Sequence, residues 1–259
     1  MLRHLLGSVA MVLLFAPSLF SQAAISAQST FVVASAYEAR GKTFTDGPVV
    51  QLSVDLARTL GKVALSAGAW GNVESVRPDG VGELSMLGER APGLSEVDLW
   101  LEATRAVGLL DATVAALYFL YPVGFDFSDA SPIPEVMVRL GARVPGSPEV
   151  AAYYDFVAEG WYFVARGQYE AAPLGRFRPR VKLEAAGTVG QCEPGEYYGS
   201  DGPTHVGVVL GGDWNAGRWT VTPQLGWTVA LDELTRPGAL REGGRHKLRI
   251  GTAFTWSRD

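Results

Sequence analysis

"RHKLRIGTAFTWSRD" (residues 245–259) alternates almost without fault. Leu248, Ile250, Phe254 and Trp256 share one parity, with Thr252 as its polar member. Lys247, Arg249, Gly251, Ala253, Thr255 and Ser257 take the other. Successive side chains of a strand point to opposite faces, so the segment is read as a strand with one apolar and one polar side. A soluble protein turns the apolar side to a core. An outer-membrane barrel turns it to lipid and the charged side to the lumen. The rest of the chain decides between them.

The same alternation recurs along the sequence. It predicts about twelve strands, at 31–38, 48–58, 61–70, 95–106, 111–121, 134–144, 149–157, 161–171, 178–189, 204–214, 218–229 and 246–257. Their lengths suit a tilted strand crossing a bilayer. In 134–144, Val136, Val138, Leu140 and Ala142 oppose Glu135, Met137, Arg139 and Gly141. In 178–189, Val181, Leu183 and Ala185 oppose Lys182, Glu184 and Ala186. Two strands fit less well. The stretch 111–121 is apolar on both parities over its second half, and 149–157 is mixed. Pro223 falls inside a strand, where a local bulge is expected.

Connections sort by length. Short, turn-like links at 59–62, 108–110, 145–148, 173–179 and 215–217 alternate with mostly longer ones at 39–47, 71–94, 122–133, 158–160, 190–203 and 230–245. Short turns at one end and long loops at the other is the layout of an outer-membrane barrel. An even strand number places both termini at the short-turn end. Aromatics follow the same division. Tyr169, Trp214, Trp219, Phe254 and Trp256 lie near short-turn ends. Trp70, Tyr118, Phe119, Tyr121, Trp161, Tyr162, Phe163 and Trp227 lie near long-loop ends. Two girdles around an aliphatic middle match a lipid-facing surface. Tyr169, Trp214, Trp219, Trp227, Phe254 and Trp256 are the expected lipid-facing belt.

Composition agrees. The chain has 259 residues, 47% apolar, with a formal charge of −5. An acidic total speaks against nucleic acid as a partner. The N-terminus carries Arg3, an apolar run from Leu5 to Ala16, Pro17, and small residues from Ala23 to Ala27. That is the layout of a secretory signal peptide. Residues 1–27 are therefore expected to be a signal, and 28–259 the all-β domain: a transmembrane antiparallel up-and-down barrel in the cell outer membrane. Outer-membrane lipid and the barrel assembly machinery are the implied partners.

With the polar parity inward, the lumen holds Asp55, Asp98, Glu102, Arg139, Arg143, Arg166, Glu170, Lys182, Glu184, Lys247 and Arg249. Two readings follow. One is a water-filled, pore-lining surface that passes small polar solutes. The other is an interior cross-linked and shut by ion pairs, since about twelve strands give an intermediate width. The long connection 71–94 either constricts the mouth or stays a solvated loop.

Chemistry-bearing motifs are sparse. His205 has inward parity and His246 outward, so the two do not converge, and no G-x-S-x-G occurs. Cys192 has no Cys or His at ligand spacing, so neither a disulfide nor a metal is expected. "DFSDAS" (126–131) and "YYGSDG" (197–202) read as solvated loop segments. "GVGEL" (80–84) and "GVVLGG" (207–212) precede no helix and do not form a phosphate cradle. No catalytic residue, metal or cofactor is expected. The alternatives are an outer-membrane lipid-modifying enzyme, or a soluble periplasmic barrel that holds an apolar ligand with its aliphatic parity inward.

"LSAGAWGNVES" (65–75) and "EVDLWLEATRAVGLLDATVAALYFLYP" (96–122) resemble the TorF-type porins of Gram-negative bacteria. That family shows a strand ending in a Gly/Trp-Gly/Ser-Asn segment, an acidic strand, a short Gly turn and an aromatic strand ending in Tyr-Pro. The resemblance implies an outer-membrane barrel of unknown substrate and carries no catalytic residues to this chain. The last aromatic here is Trp256, whereas most such barrels finish on an aromatic.

Overall fold

The computed structural model describes residues 25–45, 47–74, 93–122, 132–191, 198, 200–231 and 245–258. Its strands are β1 (Ser26–Ala34), β2 (Tyr37–Ala39), β3 (Lys42–Thr45), β4 (Val49–Leu60), β5 (Val63–Glu74), β6 (Gly93–Val107) and β7 (Leu110–Leu120). They continue as β8 (Ile133–Ala142), β9 (Glu149–Asp155), β10 (Gly160–Glu170), β11 (Phe177–Val189), β12 (Gly202–Ala216), β13 (Trp219–Ala230) and β14 (His246–Arg258). All but β2 and β3 join one antiparallel sheet in which each strand pairs with its neighbours in sequence. β1 closes it, pairing with β14 from Ala27↔Arg258 to Ala34↔Gly251 and with β4 from Ser26↔Ala57 to Ala34↔Val49. The result is a closed up-and-down barrel of twelve strands. Both ends of the described chain lie at the short-turn end.

Orientation is settled by exposure. Leu248, Ile250 and Leu183 are 63%, 61% and 59% exposed on the outside of the barrel. Leu52, Val54, Leu101, Val138, Leu140, Leu210 and Leu225 join them. Residues of the other parity, such as Gln51, Asn72, Thr222 and Lys247, are buried inside. This arrangement is inside-out for water and right for hydrocarbon, where a closed sheet also leaves no unpaired backbone edge. The protein is an outer-membrane β-barrel. A soluble barrel with the aliphatic parity inward would need the opposite orientation.

The aromatic belt holds for Tyr169, Trp214, Trp219, Trp227 and Phe254, which are exposed on the outer face, and Trp256 is half-buried on that same face. Four other aromatics are corrected, among them Tyr121, which lines a cavity inside the barrel. Trp70, Phe119 and Tyr162 sit near long-loop ends as expected, but they point into the lumen. The first strand is also displaced. It runs over 26–34 instead of 31–38, which frees residues 37–45 for another use. It begins inside the segment expected to be the signal, and residues 1–24 lie outside the described ones. At Pro223 there is no bulge. The β12–β13 pairing lapses between Gly211↔Gln224 and Trp214↔Val221, yet the register is the same on both sides. The missing N–H of proline costs a ladder bond without shifting the strand, and the Asp213 carboxylate accepts from Thr222 Oγ1 at 2.7 Å across the gap.

True bulges occur elsewhere. One lies at Asn72/Val73 opposite Leu94–Glu96, and another at Ala186/Gly187 opposite Pro203–His205. Each inserts a residue, Ser95 or Thr204, and both neighbours then face inward. Ser95, Glu96, Thr204 and His205 are all buried.

Between β1 and β4 the chain does not stay outside as a loop. β2 and β3 form a separate two-stranded hairpin that folds into the lumen. Its tip is Arg40–Gly41, with φ of 50° and 77°. Two successive left-handed residues define the tight turn that suits a two-residue hairpin, and glycine is the easy occupant. At Gly41 an added Cβ would lie 2.5 Å from the His205 ring. The tip is thus pressed against β12.

Two predictions follow from this geometry. Leu183→Arg, on the lipid face at mid-strand, should destabilise the barrel by about 2–4 kcal/mol, whereas Tyr169→Arg at the rim should cost about 0–1 kcal/mol. Equilibrium refolding into lipid vesicles measures both, and equal costs would contradict the assigned depth. Gly41→Ala meets both a left-handed φ and the His205 ring. It should loosen the hairpin alone, seen as faster hydrogen exchange over 37–45 with the barrel strands still protected.

Candidate functional site

The lumen divides into three layers. The upper layer, at the long-loop end, is filled by the hairpin. Arg40 reaches across it and donates to both oxygens of Glu135, at 2.7 and 2.5 Å. Its guanidinium lies 5.4, 5.2 and 4.9 Å from the rings of Phe119, Tyr153 and Tyr162. Glu135 is 2% exposed, so its charge depends on this partner. Tyr37 donates to Glu96 at 2.6 Å and packs on Phe44 and Trp70. Burial, reinforced by the Glu96 carboxylate, pushes the Tyr37 phenol well above its usual range, so it remains a donor. Thr45 hydrogen-bonds Glu74. Lys247 Nζ donates to the Gly41 carbonyl at 2.7 Å, and Lys42 Nζ sits 4.1 Å above the Tyr198 ring. The hairpin therefore touches β5, β6, β7, β8, β9, β10, β12 and β14. It crosses the mouth instead of lining one wall.

Apolar packing supports it from below. Ala115, Met137, Ala151, Tyr162, Val164, Ala186 and Tyr198 form one buried cluster inside the barrel, with Leu117 and Tyr153 against it. This explains the two irregular strands. Residues 111–121 are apolar on both parities because Ala115, Leu117 and Phe119 line a packed part of the lumen. Residues 149–157 are mixed because Ala151 and Tyr153 do the same.

The middle layer is a run of alternating charge over half the circumference. Glu102 accepts from Arg139 at 3.3 Å, and Arg139 lies 3.7 Å from Glu149. Arg166 bridges Glu149 at 3.5 Å and Glu184 at 2.6 Å. Glu184 then meets His205 Nε2 at 2.8 Å. His205 is 2% exposed, and its Nδ1 is 3.1 Å from Thr204 Oγ1. The chain of pairs so runs from β6 to β12 and ends directly beneath the hairpin tip.

The lower layer is wetter. Lys182 and Glu170 are exposed on the inward parity. Arg180 pairs with Asp213 at 2.9 Å, and Arg143 with Asp111 at 3.5 Å, close to the rim. Arg249 and Asp55 are half-buried on the lumen side. Asp98 lines a cavity beside the hairpin, together with Arg40 and Glu96.

All eleven charged residues expected on the inward parity thus carry it, but they do not form a single site. Glu102, Arg139, Arg166 and Glu184 come together. Lys247 is taken up by the hairpin. Arg143, Glu170 and Lys182 sit apart toward the periplasmic end. Sequence reasoning missed Glu135 and Glu149 as partners and missed Arg40 altogether. The Arg40–Gly41 pair, flanked by Tyr37–Ala39 and Lys42–Thr45, was the available signal, because a two-residue turn ending in Gly marks a hairpin. Cys192 and residues 75–92, which contain most of the long connection 71–94, lie outside the described residues, as do 80–84 and 126–131. His246 stacks on Trp227 at 5.7 Å on the outer face, away from His205. Among the described residues no group of three or more His, Cys, Asp or Glu is placed to hold a metal ion.

No protein-family model matches the sequence, and no curated protein does. Solved structures do match in fold. LpxR from Salmonella typhimurium aligns at a TM-score of 0.50 and 12% identity, over 88% of this chain and 99% of that one. An outer membrane channel from Pseudomonas putida F1 aligns at 0.49 and 9%, over 92% and 97%. The outer membrane phospholipase A from Escherichia coli aligns at 0.45 and 13%, over 89% and 92%. The likeness to LpxR is one of fold.

Proposed function

We propose that this barrel is a porin-type channel for small polar solutes whose extracellular mouth is narrowed by the hairpin 37–45. One observation carries the reading. A charged, partly wet lumen is closed at one end by a short element of its own chain, and that element is held largely by polar contacts. Arg40–Glu135, Lys247–Gly41, Tyr37–Glu96 and Thr45–Glu74 are the polar contacts, and Tyr37 and Phe44 pack beside Trp70. The hairpin shares no ladder with the barrel, so it can open without breaking the sheet around it. The resemblance of 65–75 and 96–122 to the TorF-type porins supports the same reading, and membership of that family is part of the proposal. The role assigned is passive transport, without a catalytic step. The charged residues Glu102, Arg139, Arg166 and Glu184 then act as the pore lining that solutes meet below the hairpin.

Planar-bilayer recording of refolded protein tests it. Wild type should conduct weakly, in brief events. Arg40→Ala leaves Glu135 without its cation and should raise the open probability severalfold. Arg139→Ala and Glu102→Ala should shift cation-to-anion preference in opposite directions, and Lys62→Ala, in an exposed turn, should not. No conductance in wild type and in Arg40→Ala alike would overturn the proposal in favour of a closed structural barrel.

A further inference from the structure

Beneath the run of ion pairs, the inner wall of β11 to β14 carries positive charge that no acid neutralises. Arg178, Arg180 and Lys182 follow one another on the inward parity of β11, about 7 Å apart. Arg249 is the inward cation of β14 next below Lys247. The carboxylates of β10 to β14 are Glu170, Glu184 and Asp213. Each is already engaged. Asp213 holds Arg180 at 2.9 Å and accepts from Thr222 at 2.7 Å. Glu184 is shared by Arg166 at 2.6 Å and His205 at 2.8 Å. Glu170 accepts from Gln168 at 2.9 Å. Among the described residues, the side chains of Arg178, Lys182 and Arg249 make no ion pair or hydrogen bond. The charged neighbours of Lys182 are Arg180, Asp213, Arg166 and Glu184, which cancel in pairs and leave its own charge over. Lys182 and Arg178 are exposed to the lumen, and Arg249 is half-buried there.

The sheet register brings two of these cations to one row. Lys182 pairs with Val209, Val209 with Gly226, and Gly226 with Arg249. Lys182 and Arg249 thus end a row across four adjacent strands, about 14 Å apart along the wall. The residues between them are small. A Cβ at Gly226 would lie 3.8 Å from both Arg249 Nε and Val209 Cγ2, so Arg249 leans along the row toward Lys182. The next row down places Gly211 and the half-buried Gln224 amide between them on the same face. Above, Glu184 and Glu38 border the row, the latter accepting from Thr228 at 3.4 Å, so the positive field is confined to the row and the space below it. Behind the wall, Leu183, Leu210, Leu225 and Ile250 face hydrocarbon. Low-dielectric walls focus the field of uncompensated charges into the lumen and concentrate the counter-ion there.

We infer that this wall is a binding site for a small dianionic solute of the dicarboxylate class, with one acidic group on Lys182 and the other on Arg249. The inference deepens the channel reading and rests on it for biological use, since it makes the preferred solutes anions. The binding itself does not depend on conduction.

Saturation-transfer NMR of the refolded barrel in uncharged detergent at low salt tests the site, with succinate as probe and succinamide as its uncharged counterpart. Succinate should bind, and succinamide should bind at least about tenfold more weakly. Lys182→Ala and Arg249→Ala should each weaken succinate about tenfold, and Lys182→Arg should retain it. Lys62→Ala, in an exposed turn, should bind as wild type. Heat-modifiable gel mobility shows that each variant is folded. Equal signals from succinate and succinamide, no signal from succinate with folded wild type, or undiminished binding in the folded double variant Lys182→Ala/Arg249→Ala would overturn the site. In bilayers, succinate should reduce the chloride current of wild type and leave that of the double variant unchanged. Succinate binding without any current keeps the site and contradicts the channel. Current without succinate binding keeps the channel and contradicts the site.

Discussion

The structure depends on closure of the sheet. In hydrocarbon no water is available to an exposed N–H or C=O, and each unsatisfied group costs several kcal/mol. β1 satisfies this constraint by pairing on both sides, with β14 and with β4. Once the sheet is closed, period-2 alternation fixes everything else about orientation. In each strand one parity goes to lipid and the other to the lumen, and a slip of one residue would invert both. The constant register across the gap at Pro223 shows how strongly this holds. A missing donor is absorbed locally, and no side chain changes face.

What fills the enclosed space follows from a different rule. An interior of twelve strands is too wide for wall side chains alone to fill and too narrow for a large open pore. The chain resolves this by layers. At the upper end it spends residues 37–45 as a plug of its own and packs Tyr162, Met137 and Leu117 beneath it. In the middle, opposite charges neutralise one another in series from Glu102 to Glu184. Below, Lys182 and Glu170 are left to water. A glutamate such as Glu135 can be buried only because Arg40 arrives from another element to meet it.

The barrel was legible in the sequence because its signal is repeated. Eleven of the twelve barrel strands were placed by alternation and turn spacing alone, from 48–58 to 246–257. The same patterning assigned Leu183, Leu248 and Ile250 to the outside and Glu184 and Arg249 to the inside. The lumen was far less legible, for physical reasons. Alternation reports which face a residue takes, but it cannot report which inward residues meet across the barrel. Glu102, Arg139, Glu149 and Arg166 come from different strands, and only the closed geometry makes them neighbours. The aromatics divided in the same way. Height along the strand was read correctly for Trp70, Phe119 and Tyr162, but their parity was overlooked, and parity decides between a membrane girdle and a hairpin seat. The hairpin itself was taken for a loop because the first strand was placed too late, which absorbed Tyr37 and Glu38 into it.

Depth-resolved quenching of tryptophan fluorescence addresses the orientation most directly. Single-tryptophan variants retaining Trp227 or Trp100 would be refolded into vesicles of brominated phosphatidylcholine. The account predicts strong quenching of Trp227 on the outer face and little for Trp100, whose indole lies over Gly68 inside the barrel. Strong quenching of Trp100 with an unaffected Trp227 would mean that the apolar parity faces inward, and the barrel would not be a membrane protein of the kind described.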